Sequence, residues 1–433
     1  MNSTKITFRG LTVWLVCASF FMYEFLLRTV LGTFQEPIMA QLHLTPVTFA
    51  LLSSTAYQLI YSLMQIPVGL VTERYGLKKT LLAAVMVCVI ADIGFSLASS
   101  FYVAITLRVL MGFGSSFGFV CLLVAVYDWM PRKNIALFIG LSQLVGTLGP
   151  MLAAGPLNML AENSIISWRG LFGNLAAIGL GIAVLVLLVV DKNKENTTKS
   201  FALTKPTPVS KLLYQFIYQK QIWFIAVYSA FVYFSLEYLS ENECKAFLVS
   251  KGFSVSFSGY MITLGWIGYA FGCAILGFIS DKIQRRKVLM LLGALAALLA
   301  LTGIVYLPLN KPTTALCFFF LGIGASGQSI GFAIMAEQCR ENHLAIGLGF
   351  NNAMIGFFSA INAPLIGFFL SNANSTATLN DYQHAFFIMI AFLITAVILA
   401  GFFIKETFCK SMRENTLLIR PMYNLNSDLL KPE

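Results

Sequence analysis

The chain has 433 residues, 58% hydrophobic and 11% charged, and a formal net charge of +10; its mean hydropathy is +0.78. A water-soluble domain carries about 25% charged residues, so this composition excludes an ordinary water-facing surface and points to lipid as the solvent. The positive balance would suit nucleic acid, but its distribution along the chain, described below, argues against that partner.

The first apolar run, 11–31, has no small-residue cleavage site after it and reads as a retained helix rather than a leader. Further runs of about 20 apolar residues, each able to cross a core of about 30 Å, follow at 47–69, 80–99, 103–126, 136–158 and 170–190. A polar stretch, 191–221, interrupts the series. Six more runs come after it, at 222–240, 257–279, 288–307, 313–335, 345–370 and 383–404. Helices are expected, because backbone groups in lipid must be satisfied within their own segment. The 345–370 run contains Pro364 and several glycines and is expected to bend or tilt. The reading is an all-α membrane protein of twelve transmembrane helices. It divides into an N-terminal six-helix bundle (1–190), a linker (191–221) read as a solvated connector, a C-terminal six-helix bundle (222–408) and a tail (409–433).

Most of the 29 Lys and Arg fall on one side of this topology: Lys5 and Arg9, Arg74, Lys78 and Lys79, Arg132 and Lys133, the lysines of 192–220, the 282–287 cluster, Arg340 and the tail. The other side holds Arg169, Lys245, Lys251 and Lys311, while Arg28 and Arg108 lie inside spans. This bias places both ends in the cytoplasm and explains the net charge without nucleic acid. The eight cysteines and three histidines show no metal-ligand spacing, so no metal, cofactor or disulfide framework is expected.

The halves share a loop. After the second span the chain reads Gly69-Leu-Val-Thr-Glu73-Arg74-Tyr-Gly76-Leu-Lys78-Lys79, and after the eighth Gly277-Phe-Ile-Ser-Asp281-Lys282-Ile-Gln284-Arg285-Arg286-Lys287. Glycine, acid and base keep their spacing in both copies, as expected of transporters built from repeats. The pattern resembles the signature loop G-x-x-x-D-R-x-G-R-K of the major facilitator superfamily, with Glu73 for aspartate, Leu77 for a base and Gln284 for the second glycine. The fourth span, Arg108-Val-Leu-Met-Gly112-Phe-Gly114-Ser-Ser-Phe-Gly118, is similar to the family's R-x-x-x-G-x-G-x-x-x-G. The fifth, Gly146-Thr-Leu-Gly149-Pro150 then Gly155-Pro156, resembles the Gly-Pro pattern of many antiporters. Close packing explains that segment equally well.

The resemblance implies two pseudo-symmetric six-helix bundles moving about a central site. It also implies a gating role for the loops, with Glu73 meeting the start of the eleventh span and Asp281 the start of the fifth; alternatively, these charges only enforce topology. The strings Tyr23-Glu24-Phe-Leu-Leu-Arg28 and Gly112-Phe-Gly-Ser-Ser-Phe-Gly-Phe-Val120 look like those of bacterial inner-membrane permeases. Those permeases are distantly similar to nutrient transporters of intracellular bacteria and to lysosomal dipeptide transporters.

A charge inside a span costs at least about 2.5–3.5 kcal/mol and needs a partner or water. Glu24 and Arg28, four residues apart, share a helix face and read either as a mutual ion pair or as a cavity-facing pair. Arg28 is suited to bind a carboxylate or phosphate bidentately. Glu237 has no base within one turn and is the favoured proton-coupling residue, its rival roles being a contact to a substrate ammonium or a place in a wetter vestibule with Glu241 and Glu243. Arg108 reads as packing against the first two helices, or as tuning Glu24; Asp92 is read as structural or near the outer interface. Tyr57, Gln58, Tyr61, Gln65, Gln143, Gln328, Asn351, Asn352 and Asn362 complete a polar path, although each singly is often interhelical glue.

The expected activity is secondary active transport of a small polar or charged solute (amino acid, short peptide or organic anion) by alternating access, coupled to protons. The partners are the solute, the proton and the bilayer, and the chain is expected to act as a monomer in a bacterial inner membrane. A drug or metabolite exporter and a solute sensor that does not transport are the rival readings. With no nucleophile–base arrangement, an enzyme is not expected.

Overall fold

The computed structural model describes residues 6–131, 135–190, 218–339, 344–371 and 377–410. Among them lie twelve helical segments long and apolar enough to cross a membrane. They are α1 (Phe8–Leu42), α2 (Pro46–Ala50, Leu51–Thr55 and Ala56–Tyr75 in one run), α3 (Leu77–Ser96), α4 (Phe101–Trp129), α5 (Ile135–Ala153 and Gly155–Glu162) and α6 (Trp168–Val189). Then come α7 (Lys220–Glu241), α8 (Val255–Ile283), α9 (Arg286–Tyr306), α10 (Lys311–Gln338), α11 (Leu344–Ser371) and α12 (Leu379–Phe403). Twelve crossings bring the chain back to the side on which it began. That side is the terminal face, and the opposite side the far face. Side chains such as Leu188, Leu299 and Phe402 stand exposed on the outside of the helices, the surface an apolar solvent accepts and water does not.

Packing repeats when six is added to each helix number. In the first half α1 lies on α4 and α5, α3 on α4 and α6, and α2 on α4. In the second, α7 lies on α10 and α11, α9 on α10 and α12, and α8 on α10. Two six-helix bundles therefore share one plan. Glycine makes the tightest of these contacts possible. A Cβ on Gly112 of α4 would overlap the Tyr57 carbonyl of α2, and one on Gly322 of α10 the Gly265 carbonyl of α8.

The duplicated loop has one conformational demand in both copies. Gly76 ends α2 at φ 80°, and Gln284 ends α8 at φ 52°. Both are left-handed, which glycine adopts freely and glutamine does not. Gln284→Gly should therefore raise stability by about 0.5–1 kcal/mol, read as a higher melting temperature of detergent-solubilised protein; a lower one would remove backbone strain as the reason.

Two elements differ from the apolar pattern. α1 continues beyond Leu31 through a 3-10 turn, Val30–Phe34, and a further helix, Gln35–Leu42. Thr33, Gln35, Glu36 and Pro37 dilute its hydropathy, which is why the run seems to stop early. α5 breaks at Ala154, between Pro150 and Gly155-Pro156. The N–H of Gly155, released from the helix ladder, donates to Thr263 Oγ1 of α8 at 2.8 Å. α11 passes Pro364 as one helix. Most of the 191–221 linker and of the 409–433 tail lies outside the described residues.

The bundles join along α2–α11 and α5–α8 and through α1 and α7. At the far ends, Gly367 of α11 packs on Pro46 of α2, and Gly32 of α1 lies against the backbone of Ser240 and Glu241. Ser53 Oγ donates to Asn242 Oδ1 at 2.6 Å, and Thr55 Oγ1 donates to the Ala360 carbonyl at 2.6 Å. This seam reaches toward the terminal face as far as Asn352 Nδ2 on Gln65 Oε1, 2.9 Å. Beyond it, at the terminal ends of α2, α5 and α8, a Cβ on Gly69, Gly140 or Gly277 would meet nothing within 4 Å. Among the described residues, the contacts that join the halves lie on the far-face side of Asn352 and Gln65.

Candidate functional site

The middle of the seam holds charge. Arg28 of α1 is only 8% exposed. Its Nη2 is ion-paired with Glu237 Oε1, and its Nε donates to Glu241 Oε1 at 3.1 Å. Both acids stand on α7, one turn apart, so one helix presents two carboxylates to one guanidinium of the opposite bundle. Gln58 of α2 closes the cluster, with Nε2 3.2 Å from an oxygen of each glutamate. Ser54 Oγ donates to Glu241 Oε2 at 2.8 Å. The rings of Phe25 and Tyr233 flank Arg28, 5.4 and 5.9 Å from its guanidinium carbon.

This differs from the local expectation. Arg28 does not pair with Glu24, one turn before it; it reaches across to α7. Glu237 is not without a base, because its base comes from the other half of the chain. Glu24 is buried, and its carboxylate is met by Tyr57, whose hydroxyl lies 3.1 Å from Oε2 and donates to the Glu24 carbonyl at 2.9 Å. Gly118 of α4 leaves room for it, since a Cβ there would come within 2.9 Å of the Glu24 side chain. Asp92 of α3 lies inside the N-terminal bundle, bonded to the Tyr23 hydroxyl.

Arg108 has the geometry of a clamp. It donates to the carbonyls of Leu27 on α1 (2.9 Å) and of Leu52 and Ser53 on α2 (3.2 and 2.8 Å), and it lies 4.7 Å over the Tyr57 ring. It thereby holds the α2 turn Leu51–Thr55 against α1. Arg108→Ala should lower stability by about 3 kcal/mol, since each orphaned buried carbonyl costs about 1–3 kcal/mol. Thermal unfolding in detergent checks this, and a loss under about 1 kcal/mol contradicts the clamp.

The other polar residues divide. Tyr57 and Tyr61 stack at 6.2 Å beside the cluster. Asn352 binds Gln65, as above. Gln328 accepts from Tyr269 at 2.7 Å, and Tyr269 packs on Tyr233 at 5.6 Å, so Gln328 touches the site through two rings. Asn351 is buried, and among the described residues neither of its side-chain atoms has a hydrogen-bond partner. Gln143 is half-buried on α5. Asn362 donates to the Phe358 carbonyl of its own helix at 2.8 Å. Glu241 is the site residue that local reading undervalued, although its spacing of four from Glu237 puts it on the same face.

The sequence model of the Major Facilitator Superfamily matches residues 16–242 and 246–415. The chain belongs to the Major Facilitator Superfamily. It is a membrane transporter of that superfamily, with the twelve-helix fold. Among curated relatives it is 24% identical to a hexuronate transporter of Bacillus subtilis (strain 168), over 81% of this chain and 86% of that one. It is 22% identical to the sialic acid transporter NanX of Escherichia coli (strain K12), over 77% and 80%. Among solved structures it is similar to a bacterial homolog of the human lysosomal transporter Spinster in an inward-facing, unoccupied conformation. There the TM-score is 0.71 at 18% identity, covering 93% of this chain and 98% of that one.

The superfamily loops lie at the terminal face. Lys78 Nζ donates to the Leu187 carbonyl at the end of α6 (2.7 Å), and Arg74 lies over Tyr75. The Glu73 side chain lies outside the described residues, as do Arg132, Lys133 and Arg340. In the second copy Asp281 pairs with Arg286 of its own half at 2.6 Å; the start of α5, its expected partner when this side is closed, lies outside the described side chains. Arg286 also binds Glu337 of α10 at 2.8 Å. Arg285 lies 4.8 Å from the Phe408 ring, and Lys282 is exposed.

Proposed function

We propose that this transporter carries a small organic anion together with a proton by alternating access, with carboxylates of the sugar-acid class first among the candidates. The observation that carries the reading is the buried Arg28, held by two carboxylates from the opposite bundle. A substrate carboxylate is the same kind of acceptor as the Glu237 carboxylate and can use both oxygens on the guanidinium fork. It takes the guanidinium in place of Glu237, and the released glutamate then has no base.

A second anion in the seam without compensation is prohibitive. At the site itself two carboxylates, Glu237 and Glu241, already face one guanidinium. Electroneutrality therefore requires a proton to arrive with each monovalent anion, and the freed Glu237 is its acceptor. The exchange also removes one tie between the bundles, so occupancy and opening of the far face are linked. Relatives named for hexuronate and sialic acid, both carboxylates, support the anion over an amine or a neutral drug.

The excess of Lys and Arg on the terminal face supports a cytoplasmic position for that face, and relatives from Bacillus subtilis and Escherichia coli support a bacterial plasma membrane. On this reading the described form is inward-open, 191–221 is a cytoplasmic linker between bundles 1–190 and 222–408, and the unit is a monomer. The Glu73 and Asp281 loops close the cytoplasmic side in the opposite state. Purified protein in liposomes, offered sugar acids, amino acids, dipeptides and short dicarboxylates under an imposed pH gradient, tests the reading. Accumulation of an acid and neither amine nor neutral analogue is expected. Binding without movement would reject transport, and movement of apolar cations would reject the anion site.

A further inference from the structure

One turn beyond Arg28, toward the far face, a second base is buried in the seam. Lys245 lies in the short helix Cys244–Ser250 that follows α7 and is 8% exposed. Its ammonium donates to the Thr33 carbonyl of α1 and to Asn158 Oδ1 of α5, 3.1 Å away. One side chain of the C-terminal half thus grips two helices of the N-terminal half. Its partners are themselves fixed. Asn158 Nδ2 donates to the Val255 carbonyl of α8 at 3.3 Å, and the residue fills the notch over Gly259. Thr33 Oγ1 donates to the Ala153 carbonyl at 2.5 Å.

The two buried bases differ in what neutralises them. Arg28 has two carboxylates. Lys245 has two neutral oxygens and, among the described residues, no ion pair. Glu36 at the far end of α1 and Glu162 at the end of α5 are exposed and act on it only from a distance. Burial holds its ammonium below the ordinary lysine range, with Glu36, Glu162 and the Cys244 thiol opposing that shift. A desolvated cation without a counter-charge is costly. Thr33 lies five residues beyond Arg28 along α1, and Lys245 follows α7 past its end at Glu241, so this cation lies on the far-face side of the anion site.

We infer that Lys245, released from Asn158 and the Thr33 carbonyl, is a second anion contact in the far gate. When the seam parts, Lys245 exchanges these two oxygens for the substrate's carboxylate and passes it inward to Arg28. This rests on the organic-anion reading above. When the gate closes, the neutral oxygens return and the site empties.

The test uses full-length protein in oriented vesicles with D-glucuronate as probe, measured separately from each face. Lys245→Gln should raise KM from the far face about tenfold, the worth of one charge-assisted hydrogen bond, and leave KM from the terminal face within about twofold. Lys245→Arg should restore far-face KM. Asn158→Asp keeps the lysine but gives it a permanent carboxylate, at the cost of the donation to the Val255 carbonyl; it should raise KM from the far face about tenfold and leave KM from the terminal face within about twofold, so the site is testable even if Lys245→Gln does not fold. Unchanged far-face KM in Asn158→Asp, or an equal change from both faces in Lys245→Gln, overturns the site. Arg28→Lys separates the two ideas: if it is impaired from both faces while the Lys245 variants are normal, only this inference fails. If wild-type protein neither binds nor moves the probe, the anion reading fails and this site with it.

Discussion

Glu237→Gln is expected to abolish accumulation driven by a pH gradient while leaving counterflow exchange of substrate in place. Glutamine keeps the shape of a protonated glutamate and the contact to Gln58, but it neither gains nor loses a proton. Glu241 still holds Arg28 through Nε at 3.1 Å, so the bundles remain registered and the empty site survives. In a one-to-one symport each pH unit of gradient supplies about 1.4 kcal/mol, a tenfold accumulation. The variant should therefore equilibrate substrate at any imposed gradient, whereas the parent concentrates it about tenfold per unit. The measurement is the paired one, gradient-driven uptake beside counterflow in the same liposomes. Equal loss of both would remove Glu237 as a dedicated proton site and leave it a structural partner of Arg28.

Arg28→Lys is expected to weaken substrate binding by about 10–100-fold, from the loss of a bidentate charge-assisted contact of about 1.5–3 kcal/mol. Lysine retains one positive charge against Glu237 and Glu241, so the protein should fold. Arg28→Ala would strand two buried carboxylates at a cost of about 3–5 kcal/mol, and its failure would say nothing about substrate. Lysine lacks the fixed fork with which a guanidinium holds Glu241 and an incoming carboxylate together. Calorimetric titration of the transported acid into the lysine variant checks this. Unchanged affinity would take Arg28 out of the binding site.

Much of this architecture was legible without coordinates because lipid imposes a simple rule: apolar runs must be about a membrane thick and must be helices. The boundaries fail where a helix leaves that solvent, as at α1, whose far extension carries Thr33 and Gln35 and so no longer reads as apolar. The identity of the buried charges was also legible, since each is an exception within such a run. Their pairing was not. Spacing along one helix brings Glu24 and Arg28 together, whereas the fold sends Arg28 to a helix that begins after the linker, and no periodicity reports on that. Glu241 was within reach, four residues from Glu237, but an acid at a helix end is ordinarily solvated and drew less weight. Lys245 was hidden for the same reason: its place between two spans suggests a wet loop, and only the packing of α1, α5 and α8 around it excludes water.

At Gly32 the two halves meet main chain to main chain, against Ser240 and Glu241. Such a stop has no rotamers to rearrange, so the far-face door shuts to one fixed depth, whatever cargo has passed. Even a single methyl group there would prop it ajar, turning a carrier that admits one side at a time into a leak.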